Sequence, residues 1–458
     1  MHRLDLKEIA GVIGTHLPAG TECGAASGYS IDTRTLRAGD LFFALKGETA
    51  DGHDFVRDAW EKGAAGAVVE REIGGAPPGF AQLIVSSSLE ALQQIASHVR
   101  SRTDVPVVAV TGSNGKTTTK EMIAFLLSTR MRVRRSPGNF NNHIGLPLSL
   151  LALEHSDEAL VVEIGSNHPG EVAALCRIAQ PQVGVITNVG RAHIGLFGSI
   201  EAVAREKSDL ARCLQPGGQA VVNADDDALM AQIRSIDVDT TTFGLKPGAD
   251  FRATAVDVSQ SSGSSFTLGG LAVSLKAPGV HNVYNALAAM ATAGVFGISA
   301  RDSAEAIRVY EPMRMKIQAY GGLTLIDDTY NSNPDSAQAA LSVLSGAGGG
   351  RRVFIMGDML ELGQAAEPLH REVGSLVARS PIDLFVTIGE LARWASEEAV
   401  AQGMDLRAVV HFAGKAEAKR DLRSLVKPED VVLVKGSRLA GLDEIVEFLR
   451  SSTIVGSV

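Results

Sequence analysis

Hydrophobic and polar positions along the chain fall into short apolar runs separated by amphipathic stretches. In the first eighty or so residues, "DLFFAL" (40–45), "AGAVVE" (65–70) and "QLIVSS" (82–87) read as strands, with the helical "HDFVRDAWEKG" (53–63) between the first two. "GGAPPGF" (74–80) is a loop inside this small α/β unit, and the helix "LEALQQIASHVR" (89–100) leads out of it. From Val105 onward, "VPVVAV", "EALVVEIG", "PQVGVITNV" and "QAVVNADD" alternate with helical segments. Nearly continuous apolar strands spaced in this way predict a parallel sheet covered on both faces. Between about 250 and 276 the pattern turns to alternating polar and apolar residues around "SQSSGSSF", which predicts a hairpin appended to the sheet, and the alanine-rich "NVYNALAAMATAGVFG" predicts a helix. A third unit begins near Met313, where "LTLIDD", "RRVFIMGD", "DLFVTIG" and "DVVLVKGS" are again spaced by helical segments, with "SGAGGG" (345–350) as a long connection. No short-period repeat is evident. The expectation is an α/β protein of three domains, with boundaries at 1–84, 85–312 and 313–458.

Composition narrows the class. A chain of 458 residues is too long for one ordinary core, and 45% hydrophobic with 21% charged residues is the balance of a globular protein. A net charge of -9 argues against nucleic acid as a partner. The basic run "RMRVRR" (130–135) reads as a solvated helix end leading into the next strand, or as a patch for an anionic ligand. Cys23, Cys176 and Cys213 are few, odd in number and far apart, which suits reduced thiols better than a disulfide framework. The opening "MHRLDLKEIAG" lacks the apolar core of a signal peptide, and no stretch has the length to span a bilayer, so the expected location is the cytoplasm.

The sharpest chemical signal is "VAVTGSNGKTTTKEM" (108–122), which reads strand, glycine loop, helix. Backbone N–H groups of such a loop point at anionic oxygens, a lysine reaches the β- and γ-phosphates, and a threonine ligates magnesium. Gly112, Ser113, Asn114, Gly115, Lys116, Thr117 and Thr118 are therefore candidates for ATP. The loop is shorter than the usual one, because Gly112 and Gly115 enclose only Ser113 and Asn114 and Val110 stands where a first glycine is expected. Further ligands must come from the carboxyl edge of the sheet. Glu163 closes an apolar strand, His193 follows another, and Lys207 lies on the helix "IEAVAREKSDLA". A carboxylate there is a turn former or a cation ligand, and without a cation or donor its burial is costly. Asn282 and Asn285 lie on one face of a helix start, either as caps or as amides facing an adenine. "LIDDTYNSNPDS" (325–336) concentrates polarity at a strand end, as a ribose or base contact or as a plain turn before Asn-Pro.

The ordered set "TGSNGKTTTKE", "GNFNNHIGLPLSLL", "EIGSNHPGE", "TNVGRAHIGLFGSIEAVAREKSDL", "GVHNVYNALAA", "DDTYNSNPDS", "GDMLELG" and "VLVKGSR" resembles the Mur ligases, from about residue 30 to 438. These are ATP-dependent amide ligases of peptidoglycan precursor synthesis. "DDTYNSNPDS" and "MGDMLELG" are similar to the branch that adds D-alanyl-D-alanine to UDP-N-acetylmuramoyl-tripeptide, and the DYAHTPD-like and DNPR-like segments of a sister branch are not found. The resemblance implies an amino-terminal UDP-sugar domain, a central ATPase with a mainly parallel sheet and a carboxy-terminal Rossmann-like domain that closes over them, in a monomer without membrane insertion.

Carried over by position, the resemblance places Asp32, Thr33, Arg34, Gly47, Asp51, Gly52 and His53 near the uridine nucleotide, and Asn139 and Asn142 on a loop facing the central substrate site. It implies that Lys116 binds phosphate, that Thr117, Glu163 and His193 serve two magnesium ions, and that Lys207 is carbamylated. It further implies adenine contacts at Asn282 and Asn285, nucleotide contacts at Asp328 and Asn331, and an inter-domain hinge at Arg314, where Met313 replaces a frequent glycine. Two other readings are a folylpolyglutamate-type ligase with another substrate and a nucleotide switch without amide chemistry. A switch needs a base-reading NKxD-like signal, and "TNVG" is not one.

Overall fold

The computed structural model describes residues 4–17, 24–47, 49–259 and 263–451; Cys23 and residues 260–262 of the expected hairpin lie outside them. The amino-terminal unit contains α1 (Leu6–Val12), β1 (Gly28–Ser30), β2 (Asp40–Phe43), α2 (Val56–Glu61), β3 (Gly66–Val69) and β4 (Ala81–Ile84), with the strands side by side in chain order and all parallel. Successive residues of a strand face opposite sides, and β2 shows it: Phe42 packs with Ala59 and Val69, while Leu41 and Phe43 join a second core beneath α3 (Ser88–Ser101). The Ser87 hydroxyl caps α3 by accepting the Glu90 N–H at 3.2 Å. That second core runs on into the central unit through Leu146, Leu150 and Val162, so the first two units share one apolar interior.

The central unit runs β5 (Val107–Thr111), α4 (Lys116–Leu127), β6 (Val133–Arg135), α5 (Gly145–Leu151), β7 (Ala159–Glu163), α6 (Glu171–Ala179), β8 (Val183–Ile186), α7 (Ile194–Phe197), α8 (Ile200–Arg212), β9 (Gln219–Asn223), α9 (Asp227–Ile233), β10 (Asp239–Gly244), β11 (Phe251–Asp257), β12 (Ser264–Leu268), β13 (Leu271–Leu275), α10 (Val280–Val295) and α11 (Ala300–Ile307). Its sheet has the order β13-β12-β11-β10-β9-β8-β5-β7-β6. β5 lies between β7 and β8, where the chain switches direction across the sheet, and open α/β sheets bind ligands at such a point. Val108 and Val110 pack toward α4 and α10, whereas Val107 and Ala109 face the core under α3 and α6. The expected hairpin is a three-stranded antiparallel meander, β11 to β13, joined to β10 in parallel. "RMRVRR" starts just after α4 ends and leads into the edge strand β6, as expected, and its Arg134 and Arg135 pair with Asp157 and Glu121.

The third unit runs β14 (Lys316–Tyr320), β15 (Leu323–Asp328), α12 (Pro334–Gly346), β16 (Arg352–Gly357), α13 (Ala366–Ala378), β17 (Leu384–Ile388), α14 (Arg393–Ala401), β18 (Val409–Phe412), α15 (Lys415–Leu425), β19 (Val431–Lys435) and α16 (Asp443–Ser451). Its sheet, β14-β15-β19-β16-β17-β18, is parallel except for β14. Ile326, Phe354 and Leu433 pack under α12 to α14, and Leu325, Val353 and Val434 under α15 and α16, so both faces are covered as the apolar strands predict.

Candidate active site

β5 ends at Thr111 and the chain turns through two glycines that no other residue could replace without strain. Gly112 has φ +139°, and a Cβ there would lie 2.0 Å from Thr187 Oγ1; Gly115, at the N-cap of α4, has φ +82° and would place a Cβ 2.3 Å from Asn285 Oδ1. The end of β8 straps the loop: Ser113 N–H donates to the Asn188 carbonyl at 3.0 Å, Asn114 N–H to Asn188 Oδ1 at 3.0 Å, and Thr187 Oγ1 to the Asn114 carbonyl at 2.6 Å. Lys116 Nζ donates to the carbonyls of Gly112 at 2.7 Å and Ser113 at 3.2 Å. Enclosure of this ammonium holds its pKa below the usual lysine range, with Glu163 opposing that effect and Arg314 adding to it.

The central and third units meet on Thr117. Its hydroxyl donates to Glu163 Oε2 at 2.6 Å and accepts from Arg314 Nη2 at 2.7 Å, while Asn141 Nδ2 donates to Glu163 Oε1 at 2.8 Å. Glu163 is 2% exposed, so the end of β7 carries a buried carboxylate whose hydrogen bonds come from a hydroxyl and an amide. A hydroxyl and a carboxylate on hard oxygen atoms fit magnesium, which keeps several waters and needs few protein ligands. Among the described residues no cluster of three His, Cys, Asp or Glu side chains provides a fuller cage.

Lys207 is 2% exposed and lies behind this wall, with Nζ donating to Ser166 Oγ at 2.7 Å. Burial first, and then the charge of Lys116, lower its pKa to about 7, against the raising effect of Glu206 and Glu171. Half of its amine is then neutral near pH 7, which is the condition for reaction with carbon dioxide. His193 takes a left-handed backbone, φ +58°, at the start of α7, and its Nδ1 lies 3.0 Å from Glu361 Oε2 of the third unit, outside hydrogen-bonding geometry.

Further groups arrive from α10 and the third unit. Asn282 and Asn285 do not cap their helix, whose N-cap is Gly279; Asn282 Nδ2 donates to the Pro278 carbonyl at 2.8 Å and Asn285 Nδ2 to Asn282 Oδ1 at 3.1 Å. The turn in "NSNPDS" is a capping box at Asn333 with Pro334 in the first turn, and it still reaches the glycine loop, because Asn333 Nδ2 donates to Asn114 Oδ1 at 2.9 Å. Asp328 is held by Lys435 at 2.6 Å, its cross-strand partner in β19, and Lys435 also donates to the Asn331 carbonyl at 2.9 Å. Arg314 Cζ stands 3.4 Å from the centre of the Tyr330 ring.

One cleft of about 1100 Å³ is lined by Ser113 to Thr118, Asn139, Asn142, Glu163, His193, Asn282, Asn285, Arg314, Asp328 and Asn331. Gly112 and Lys207 lie behind its wall. The residues expected near uridine sit in the connections that follow β1 and β2 of the amino-terminal unit, outside this lining: Asp32 with Arg34 at 2.7 Å, Thr33 whose carbonyl accepts from Lys62, Gly47 and Gly52 in a turn, and Asp51 with His53 at 2.6 Å. His53 is buried, and its Nε2 accepts the Glu70 N–H at 2.8 Å, so its other nitrogen carries the proton and donates to Asp51. Sequence reasoning passed over Asn141, Ser166, Asn188, His281 and Lys435. Only Asn141, lying between two asparagines already singled out, had a local signal. His281 is a cleft residue whose buried Nδ1 lacks a partner, and burial pushes its pKa down to about 4.

A glycine loop at the switch point of a parallel sheet, a buried carboxylate at the next strand end and a third domain whose side chains reach that loop define a nucleotide-dependent α/β enzyme that works across domain boundaries. Three family profiles match in order: the Mur ligase family catalytic domain over 26–100, the Mur ligase middle domain over 110–293 and the Mur ligase glutamate ligase domain over 313–438. The chain belongs to the Mur ligase family. It is 36% identical to the UDP-N-acetylmuramoyl-tripeptide--D-alanyl-D-alanine ligase of Bacillus subtilis, over 99% of this chain and 100% of that protein. Its fold is similar to that of MurF from Acinetobacter baumannii, with a TM-score of 0.88, 32% identity and coverage of 99% and 100% of the two chains. It is also similar to the MurF ligase of Thermotoga maritima in complex with ADP, with a TM-score of 0.81, 27% identity and coverage of 94% and 98%.

Proposed function

We propose that this chain is an ATP-dependent amide ligase that joins D-alanyl-D-alanine to UDP-N-acetylmuramoyl-tripeptide in the assembly of peptidoglycan precursors. The observation that carries the reading is the junction of Thr117 with Glu163 and Arg314, which brings the glycine loop, the adjacent strand end and the third domain onto one hydroxyl. The relatives named for this reaction cover the chain nearly end to end, which supports the same chemistry here.

In this reading the peptide carboxylate attacks the γ-phosphate of ATP, ADP leaves, and the amine of D-alanyl-D-alanine displaces phosphate from the resulting acyl phosphate. Two anions must approach, so the cleft has to supply positive charge and fixed dipoles before it supplies anything else. Lys116 and the N–H groups of 115–118 at the start of α4 receive the phosphates, and Arg314, held over the Tyr330 ring, adds a second cation from the closing side. Thr117 and Glu163 would hold one magnesium ion, with His193 and a carbamylated Lys207 at a second; the ions would neutralise phosphate oxygens and hold them in line. Asn282 and Asn285 border the adenine, Asp328 and Asn331 the rest of the nucleotide, and Asn139 and Asn142 the peptide. The domains 1–84, 85–312 and 313–458 divide the labour, with the region from Asp32 to His53 taking the uridine nucleotide. All these groups belong to one chain, so a monomer suffices.

The test is phosphate release measured with each substrate alone and with both, together with the mass of the product. The reading requires release that depends on both substrates and a product that gains one dipeptide less water. Release without either substrate, or a product of different mass, overturns it.

A further inference from the structure

The segment after β8 does two things already described: Thr187 and Asn188 strap the glycine loop, and His193 borders the cleft. Between them stands Arg191, whose side chain leaves the central domain altogether. Its Nε and Nη2 donate to Asp335 Oδ1 at 2.9 and 2.7 Å, its backbone N–H donates to Asp335 Oδ2 at 2.8 Å, and its Nη1 donates to Glu372 Oε2 at 2.6 Å. Asp335 lies in the first turn of α12 and Glu372 in α13, so one guanidinium clasps two helices of the third domain. The backbone on either side is cut to fit. A Cβ on Gly190 would lie 2.7 Å from Asp335 Oδ2, and one on Gly195 would lie 2.6 Å from the Leu362 carbonyl. All three nitrogens of the guanidinium are bonded across the boundary, which makes Arg191 a connector and not a phosphate ligand.

We propose that Arg191 is a positioning residue whose ion pairs with Asp335 and Glu372 hold the third domain shut over the glycine loop, and thereby fix where Arg314 and Asn333 meet Thr117 and Asn114. The proposal rests on the ligase reading for its catalytic consequence, and on the geometry alone for its structural one. The side chains of Arg191, Asp335 and Glu372 are 27%, 32% and 38% exposed, so they regain water when the domains part. Such a contact is screened by salt and of moderate strength, as a latch that opens in every turnover has to be. An acyl phosphate in a cleft that opens early reacts with water, which releases phosphate and regenerates the acid without forming an amide. A weakened latch therefore uncouples phosphate release from ligation.

The experiment compares the full-length wild type, Arg191→Ala, Arg191→Lys, Asp335→Asn and the double variant Arg191→Ala/Asp335→Asn. Small-angle scattering reads the domain arrangement, and phosphate released per amide formed reads the coupling. Wild type gives a ratio near one; Arg191→Ala gives a larger radius of gyration, amide formation slower by about tenfold and a several-fold higher ratio, with nucleotide affinity unchanged. Arg191→Lys, which keeps the charge but not the fork, falls between them, and the double variant is no worse than Arg191→Ala. Raised salt reproduces the expansion in wild type without any substitution, so a variant that fails to fold leaves the proposal testable. Unchanged scattering and an unchanged ratio in Arg191→Ala, or additive losses in the double variant, overturn it. Absence of amide product from wild type overturns the ligase reading instead, and the scattering still decides the latch.

Discussion

Arg314 and Thr117 are 197 positions apart in the chain, yet the Arg314 guanidinium donates to the Thr117 hydroxyl at 2.7 Å. A hydroxyl has one proton, and Thr117 gives it to Glu163, so the three side chains form a directed relay from the third domain, through the helix start, to the end of β7. The third domain and the carboxylate are thus joined through a single hydroxyl.

Replacing Thr117 by valine keeps the shape and removes the link. Glu163 Oε2 then loses its donor inside the protein, and Arg314 loses its acceptor. Stability should fall by about 1–3 kcal/mol while turnover falls at least about a hundredfold. Denaturant unfolding and phosphate release measure the two effects, and a variant with normal turnover contradicts the assignment of Thr117.

Lys207 makes a signed prediction with pH. Its folded pKa of about 7 lies below the unfolded value of 10.5, so between those pH values the unfolded chain binds the extra proton. Stability from this group therefore rises as pH increases from about 7 toward 10.5 and is constant below that window. Denaturant titrations at several pH values should show that rise in wild type and lose it in Lys207→Met; parallel curves refute the burial argument. A carbamate carbon signal after incubation with ¹³C-bicarbonate, present in wild type and missing in the variant, tests the modification.

Gly115→Ala puts a Cβ 2.3 Å from Asn285 Oδ1 at a residue with φ +82°. The left-handed backbone alone costs an L-residue about 1–2 kcal/mol, and the contact forces α4 and α10 apart. Nucleotide affinity should drop tenfold or more by calorimetry. An alanine variant with wild-type affinity shows that the loop moves freely and that its geometry is not set by α10.

Lys435→Ala leaves Asp328 without its partner in a position where Lys435 is 1% exposed. Removing one member of a buried ion pair costs about 3–5 kcal/mol, so the third domain should unfold at clearly lower denaturant than in wild type. If Asp328→Asn added to Lys435→Ala recovers none of that loss, the pair does not act as described.

Nearly continuous apolar runs were enough to read the long parallel strands as covered on both faces, because successive side chains of a strand point to opposite sides and a run apolar at every position has to bury both. The glycine loop was legible for a similar reason: a strand, two glycines and a lysine before a helix are contiguous in sequence. The short edge strands β1, β14 and β18 and the threonine-rich β10 escaped, since what holds them is a neighbour's backbone and not their own pattern.

What only the tertiary structure decided is which side chains face one another. It turned the choice between cap and ligand at Asn282 into an internal hydrogen bond, placed Lys207 behind Ser166, set the uridine-region residues apart from the main cleft and gave Arg191 its two acidic partners. The sequence determined the local conformations, the three α/β units and the family. Distances between residues brought together from separate units follow from packing over the whole chain, and no window of sequence contains them.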